Sequence, residues 1–251
     1  MKLLNKKIIL FDLDGTLALS KSAISPSMST ALTQLLKHTK VGIITGGNWE
    51  QCKKQVIDQL PKEAFLLLDQ LYILPTSGTR LHTYKNKNWG EIYAENIIEN
   101  ERKKIIGALT ASMQNMYNQS ILHGDVIEDR GSQITFSALG QNAPLRLKEQ
   151  FDPDQKIRHE IVKKLKNIIP EYEIRVGGST SIDITKKGMD KGYGIQKIAN
   201  HLTLDLDEVA FVGDALFEGG NDYPAKQLGI HCIEVVGPHE TEQHIRSWVS
   251  M

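Results

Sequence analysis

The chain has 251 residues, with 30 lysines and arginines balanced by 30 acidic residues, so it is long enough for one large α/β domain or for a core carrying an inserted domain. Zero formal net charge argues against a nucleic-acid or membrane surface as partner, since either would show a basic excess. Two cysteines, Cys52 and Cys232, are too few for a disulfide framework and lack metal-ligand spacing, and Asp12 interrupts the first apolar run too early for a signal peptide; the expected location is the cytoplasm.

Taken in chain order, the run Ile8 to Phe11 predicts a buried strand, and it ends at Asp12-Leu13-Asp14-Gly15-Thr16. In open α/β sheets reactive groups gather beyond the carboxyl ends of the strands. One carboxylate there can attack phosphorus, while the second can protonate the leaving oxygen and deprotonate the next acceptor. A hard cation such as Mg²⁺ would cancel the repulsion between such a nucleophile and a phosphate. Asp-x-Asp-Gly by itself suits a turn or a calcium loop equally well.

A helix is expected from Pro26 to His38, then a strand over Val41 to Ile44 ending in Thr45-Gly46-Gly47, then a helix from Asn48 to Leu60 with Asn48 as its cap. Thr45 and the free N–H groups of that turn could hold phosphoryl oxygens. Short strands follow over Phe65 to Leu68 and Tyr72 to Leu74. The stretch 82–187 has another rhythm. It predicts a long helix from Glu95 to Tyr117, two short strands around Arg130-Gly131-Ser132, a helix from Asp152 to Ile168 and a strand pair turning at Gly177-Gly178-Ser179. Strands joined by turns imply an antiparallel sheet with helices on one face. Beyond Gly188 the α/β alternation returns. Lys191 opens a helical stretch and could reach both nucleophile and phosphate as a point charge. Asp214 closes the apolar run Val209 to Val212 and adds a third carboxylate, and Asp222 with Asn221 either caps the helix from Tyr223 to Leu228 or supports a metal.

Phe11-Asp12-Leu13-Asp14-Gly15-Thr16, Ile43-Ile44-Thr45-Gly46-Gly47, Asp190-Lys191-Gly192 and Phe211-Val212-Gly213-Asp214 with Gly219-Gly220-Asn221-Asp222 resemble, in order, the four motifs of the haloacid dehalogenase superfamily of phosphotransferases. The resemblance implies a doubly wound parallel-sheet, Rossmann-like α/β core over 1–81 and 188–251 and an inserted α+β cap of the second type over 82–187. It implies Asp12 as nucleophile, Asp14 as general acid/base, Thr45, Gly46 and Lys191 around the reacting phosphoryl group, and a Mg²⁺ site from Asp12, the backbone carbonyl of Asp14, Asp214 and Asp222.

More narrowly, Thr76 to Arg80, Gly177-Gly178-Ser179-Thr180-Ser181-Ile182-Asp183 and Gly188-Met189-Asp190-Lys191 resemble segments of the eukaryotic-type phosphomannomutases. That family's cap binds a distal phosphate with arginines and sugar hydroxyls with a Ser and an Asp. Arg130 matches one arginine, and Ser181 and Asp183 match the sugar pair, two residues apart on one strand face. Gln141 stands where the family has arginine, Arg146 or Lys148 is the candidate for the next one, and Lys21 replaces an arginine near the first motif. Lysine and glutamine do not reproduce a guanidinium fork. The implied activity is interconversion of mannose 6-phosphate and mannose 1-phosphate, primed by a hexose 1,6-bisphosphate. A phosphosugar phosphatase and a non-catalytic sugar-phosphate binder are the alternatives. The partner expected is a small phosphosugar, with homodimerisation through the cap, at 173–176 or the helix from Glu95, as a further expectation.

Overall fold

The computed structural model describes residues 3–113 and 122–250, so the expected helical residues Gln114 to Tyr117 lie outside the described residues. The chain divides into two compact units, 1–94 with 190–251, and 95–189.

In the first unit, β1 (Ile8–Phe11) leads to α1 (Pro26–Leu36), β2 (Lys40–Ile44), α2 (Trp49–Gln55), β3 (Leu71–Leu74) and the hairpin β4 (Arg80–Lys85) to β5 (Asn88–Ala94). α1 begins at Ser25, whose hydroxyl accepts from Met28 N at 3.0 Å, with Pro26 in its first turn. α2 begins at a reciprocal box in which Asn48 and Gln51 each accept the other's backbone N–H, two terminal donors satisfied at once.

The inserted unit carries α3 (Glu99–Met113), β6 (Ile127–Asp129), β7 (Ile134–Ser137), α4 (Leu145–Phe151), α5 (Lys156–Ile168), β8 (Tyr172–Gly177) and β9 (Ser181–Lys186). The chain then returns to the first unit through α6 (Lys191–Leu202), β10 (Val209–Gly213), α7 (Tyr223–Gln227), β11 (His231–Glu234) and α8 (Pro238–Val249).

The first unit's sheet has the order β11-β10-β1-β2-β3-β4-β5. Its first four pairings are parallel and its last two antiparallel. β1 lies in the middle, with all four residues buried, and both faces of the sheet are covered. Ile9, Phe11, Val41, Ile43, Val212 and Trp248 belong to one core, and Ile8, Leu10, Ile44, Leu74, Ile195 and Phe211 to the other. Burial on both faces is what turns these strands into unbroken apolar runs.

Two expectations change. Residues 65–68 are not a strand: two 3-10 turns, Lys62–Leu66 and Leu68–Gln70, occupy that stretch. Leu66 is 88% exposed, so this apolar run does not mark a buried edge. The division also falls after Ala94 and before Asp190 rather than at 81/82 and 187/188, because β4 pairs with β3 and carries β5 with it into the first sheet.

The inserted unit has a four-stranded antiparallel sheet of order β6-β7-β9-β8. Ile134, Phe136, Ile174, Ile182 and Ile184 face a core completed by Ile105 and Leu109 of α3 and Ile161 and Leu165 of α5. Alternation sends Thr135, Ser137, Arg175, Ser181 and Asp183 to the opposite face. Among the described residues no helix is long and apolar enough to cross a membrane.

Candidate active site

Asp12 follows the last residue of β1, and its backbone N–H donates to Val212 O at 2.9 Å. The first residue past a central strand is thereby held against the neighbouring strand that delivers Asp214. Its side chain is almost wholly buried. Lys191, at the first turn of α6, places its ammonium 2.5 Å from Asp12 Oδ1 and 2.5 Å from Asp222 Oδ1. Asp190 starts that helix, accepting from Tyr193 N at 3.1 Å, so the lysine's root is fixed by a cap.

Asp222 is fully buried, and its Oδ2 accepts from Ala215 N at 3.1 Å. It makes no capping hydrogen bond to α7, so the first of its two alternatives, a helix cap, falls away: the side chain is directed to Lys191 and to the backbone of Ala215. Asp214 Oδ1 accepts from Thr16 Oγ1 at 3.1 Å. Two glycines make room for these acids. A Cβ on Gly15, whose φ is +92°, would lie 2.4 Å from Asp214 Oδ2, and one on Gly213 would lie 2.4 Å from Asp222 Oδ2.

Asp12, Asp214 and Asp222 each offer a carboxylate oxygen within 4.8 Å of the other two. Burial, with repulsion from Asp222 and Asp214, raises the pKa of Asp12 well above the ordinary carboxylate value, and Lys191 opposes the rise. Burial and Asp222 likewise raise Asp214. Burial pulls Lys191 down, but Asp12 and Asp222 outweigh it and hold the ammonium charged. One ammonium among three clustered carboxylates leaves an excess of negative charge. Hard oxygen donors with that excess fit Mg²⁺.

The Asp14 carboxylate stands apart from this trio. Its Oδ1 accepts from Lys21 N at 2.7 Å and Gln55 Nε2 at 3.2 Å, which aims an acid at the same strand end without placing its side chain among the clustered acids. Lys21, at φ +54°, thus serves Asp14 through its backbone. Thr45 is buried, and its Oγ1 accepts from Gly47 N at 3.1 Å; Gly46 lies between them. Thr76 and Ser77, both at positive φ, tie the turn after β3 to this loop, with Thr76 N donating to Gly47 O and Ser77 N to Thr45 O, each at 2.8 Å. Neither Thr16 nor Gln55 was assigned a role from sequence. Thr16 is the last residue of the first motif, whereas Gln55 has no local signal, since its partner lies 41 residues away.

In the inserted unit, Ser181 and Asp183 share the polar face of β9, and Thr135 Oγ1 donates to Asp183 Oδ1 at 2.7 Å. Arg130, after β6, pairs through Nη2 with Glu128 Oε2 at 2.7 Å. Lys148 on α4 is buried and donates to Gln141 O at 3.0 Å, while Arg146 on the same helix is exposed. The structure therefore sets Lys148, not Arg146, beside Gln141.

A family model described as eukaryotic phosphomannomutase matches residues 28–251. Phosphomannomutase 1 of Dictyostelium discoideum is 31% identical over 89% of this chain and 88% of its own length. The phosphomannomutase of Encephalitozoon cuniculi is 28% identical over 96% of this chain and 92% of its own. Among solved structures, the IMP-bound IMP-nucleotidase of Plasmodium falciparum matches with a TM-score of 0.75 at 14% identity, covering 99% of this chain and 69% of that one. The trehalose-6-phosphate phosphatase of Aspergillus fumigatus matches at 0.57 and 16% identity, covering 100% and 97%; at these identities both bear on the fold alone. The chain is an enzyme and belongs to the eukaryotic phosphomannomutase family.

Proposed function

We propose that the protein is a Mg²⁺-dependent phosphosugar phosphotransferase that interconverts mannose 6-phosphate and mannose 1-phosphate, with a hexose 1,6-bisphosphate as activator. The observation that carries the reading is the ammonium of Lys191 bridging Asp12 and Asp222 beside Asp214, in a chain of this family. Asp12 is the nucleophile: its carboxylate oxygen attacks phosphorus, and the sugar oxygen leaves with a proton from Asp14. Gln55 and the amide of Lys21 hold Asp14 in place for that transfer, and for taking a proton back when the second sugar hydroxyl attacks the aspartyl phosphate. Lys191 offsets charge on Asp12 and on the transferred group. The hydroxyl of Thr45 and the backbone at Gly46 line the strand end where phosphoryl oxygens would lie. Mg²⁺, held by Asp12, Asp14 through its carbonyl, Asp214 and Asp222, would neutralise the phosphate's charge.

Arg130, Gln141, Lys148, Ser181 and Asp183 are assigned to the rest of the phosphosugar. Calling the inserted unit a cap that excludes water belongs to the same proposal. Lys148 and Gln141 favour a second reading, a phosphosugar phosphatase, because neither offers the bidentate grip of arginine on a distal phosphate.

Phosphorus NMR of the protein with Mg²⁺ and mannose 1-phosphate, with and without a hexose 1,6-bisphosphate, separates the two. Mannose 6-phosphate that depends on the bisphosphate supports the mutase. Inorganic phosphate alone makes the protein a phosphatase, and no turnover of any phosphosugar sinks both assignments. Asp14→Asn is expected to cost about 10²–10⁴ in turnover.

A further inference from the structure

Arg158 heads the fully buried side chains by volume among the described residues, yet it lies in α5, outside every sequence motif. Its Nε donates to Asp152 Oδ2 at 2.9 Å and its Nη2 to the Asp152 carbonyl at 3.0 Å. Its Nη1 donates to Gly177 O at 2.9 Å and to Gly178 O at 2.5 Å. Asp152 in turn accepts from Ile157 N and Arg158 N, both at 3.1 Å, so the carboxylate fixes both the start of α5 and the root of the guanidinium.

Burying a guanidinium has a desolvation cost of several kcal/mol. The β8–β9 hairpin does not need the tie in order to close, since the two strands already pair from Tyr172↔Lys186 to Gly177↔Ser181. What the tie does fix is the peptide at Gly177. That glycine is pressed against Asp183: a Cβ there would lie 2.8 Å from Asp183 Oδ2. With Thr135 holding Oδ1, the Asp183 carboxylate is seated between a hydroxyl and a glycine backbone that Arg158 grips from the other side.

We infer that Arg158, held by Asp152, is a positioning residue that sets Asp183 for the hydroxyl groups of the sugar; the inference rests on the assignment of Asp183 under Proposed function. A lysine at 158 would keep the charge opposite Asp152 but lacks the planar fork that spans the carboxylate and three carbonyls at once.

The test is steady-state kinetics of wild type, Arg158→Lys, Asp183→Ala and the double variant, with mannose 1-phosphate and with p-nitrophenyl phosphate, which has no sugar hydroxyls. Arg158→Lys should raise KM for the sugar phosphate roughly tenfold, with kcat changed less than about threefold and p-nitrophenyl phosphate hydrolysis unaltered. In the Asp183→Ala background the same change should add little further. A role in folding alone would lower apparent kcat for both substrates in proportion to the folded fraction and leave KM where it was, and that result overturns the inference. So does an equal KM increase with and without Asp183. Should Arg158→Lys not fold, Asp152→Asn, which loosens the guanidinium's root and leaves its five N–H donors in place, takes its place with the same criteria. A wild-type protein that turns over no phosphosugar removes the functional reading, and this inference with it; that failure is recognised because it appears before any substitution is made.

Discussion

Replacing Asp214 by Asn should make the protein more stable without Mg²⁺ and less responsive to it. The Asp214 carboxylate shares a 4.8 Å cluster with Asp12 and Asp222. Lys191 hydrogen-bonds the other two acids, and Asp214 is satisfied by the hydroxyl of Thr16, a bond an Asn Oδ1 can keep. At an effective dielectric of ~20, two like charges at that separation repel by about 3.5 kcal/mol, so the two pairs amount to ~7 kcal/mol. Attraction to Lys191 takes back about half, and water reaching the partly exposed Asp214 screens the remainder, leaving ~1–2 kcal/mol. In a chain of this length that is a rise of about 2–8 °C in Tm.

The pH dependence has a definite sign. The pKa of Asp214 is raised in the fold from its ordinary value of 3.8, so the native protein binds more protons than the unfolded chain, and metal-free stability falls as pH rises through the raised value. The advantage of Asn should therefore vanish below about pH 4 and be complete above the raised pKa. Mg²⁺ at ~100 times its Kd should stabilise wild type by about 2.7 kcal/mol and the variant by clearly less. The assay is thermal unfolding of both proteins in chelator and in Mg²⁺ across that pH range. A variant that melts below wild type in chelator, or gains as much from Mg²⁺, would show that the three acids do not share a cation.

Gly15→Ala should act through its neighbour: the left-handed φ of +92° and a Cβ 2.4 Å from Asp214 Oδ2 impose about 1–2 kcal/mol of backbone strain and push that carboxylate away, so calorimetric Mg²⁺ titration should show weakened binding in a folded protein. Lys191→Met leaves Asp12 and Asp222 buried without their cation and should cost about 3–5 kcal/mol, read as a lower urea midpoint. The Cys232 thiol is pushed up to about 11 by burial and Cys52 is fully buried, so at pH 8 neither should react readily with a disulfide reagent until guanidinium is added, Cys232 reacting some hundredfold slower than a free thiol.

Asp12, Thr45 and Asp214 were legible because each interrupts an apolar run where a buried parallel strand ends. Lys191 was legible because Asp190 marks a helix start beside it. The support of Asp14 was not legible. Gln55 reaches it across 41 residues, and Lys21 serves it with a backbone amide, which residue type does not encode. The edge of the first unit was misplaced for a related reason. β5 has no buried residue along its length, so its sequence carries no core signal, and only its ladder with β4 assigns it to that sheet. Arg158 lacked a signal as well: a basic residue in an amphipathic helix suggests a solvated face, and its burial depends on carbonyls 19 and 20 residues away.

The placement of β1 also bears on how the protein is made. β2 is translated within some thirty residues of β1, but β10, its other neighbour, emerges only after the whole inserted unit. A nascent chain that has reached Lys186 can complete the four-stranded sheet while the half-built first sheet still exposes one edge of β1. Such an unpaired edge is a site for wrong pairing, and the chain at that stage carries Asp12 without Lys191, Asp214 or Asp222. The cluster of Asp12, Lys191, Asp214 and Asp222 can therefore assemble only once residue 222 has been made, and a product cut short before Lys191 would be an edge-exposed fragment with the cluster incomplete.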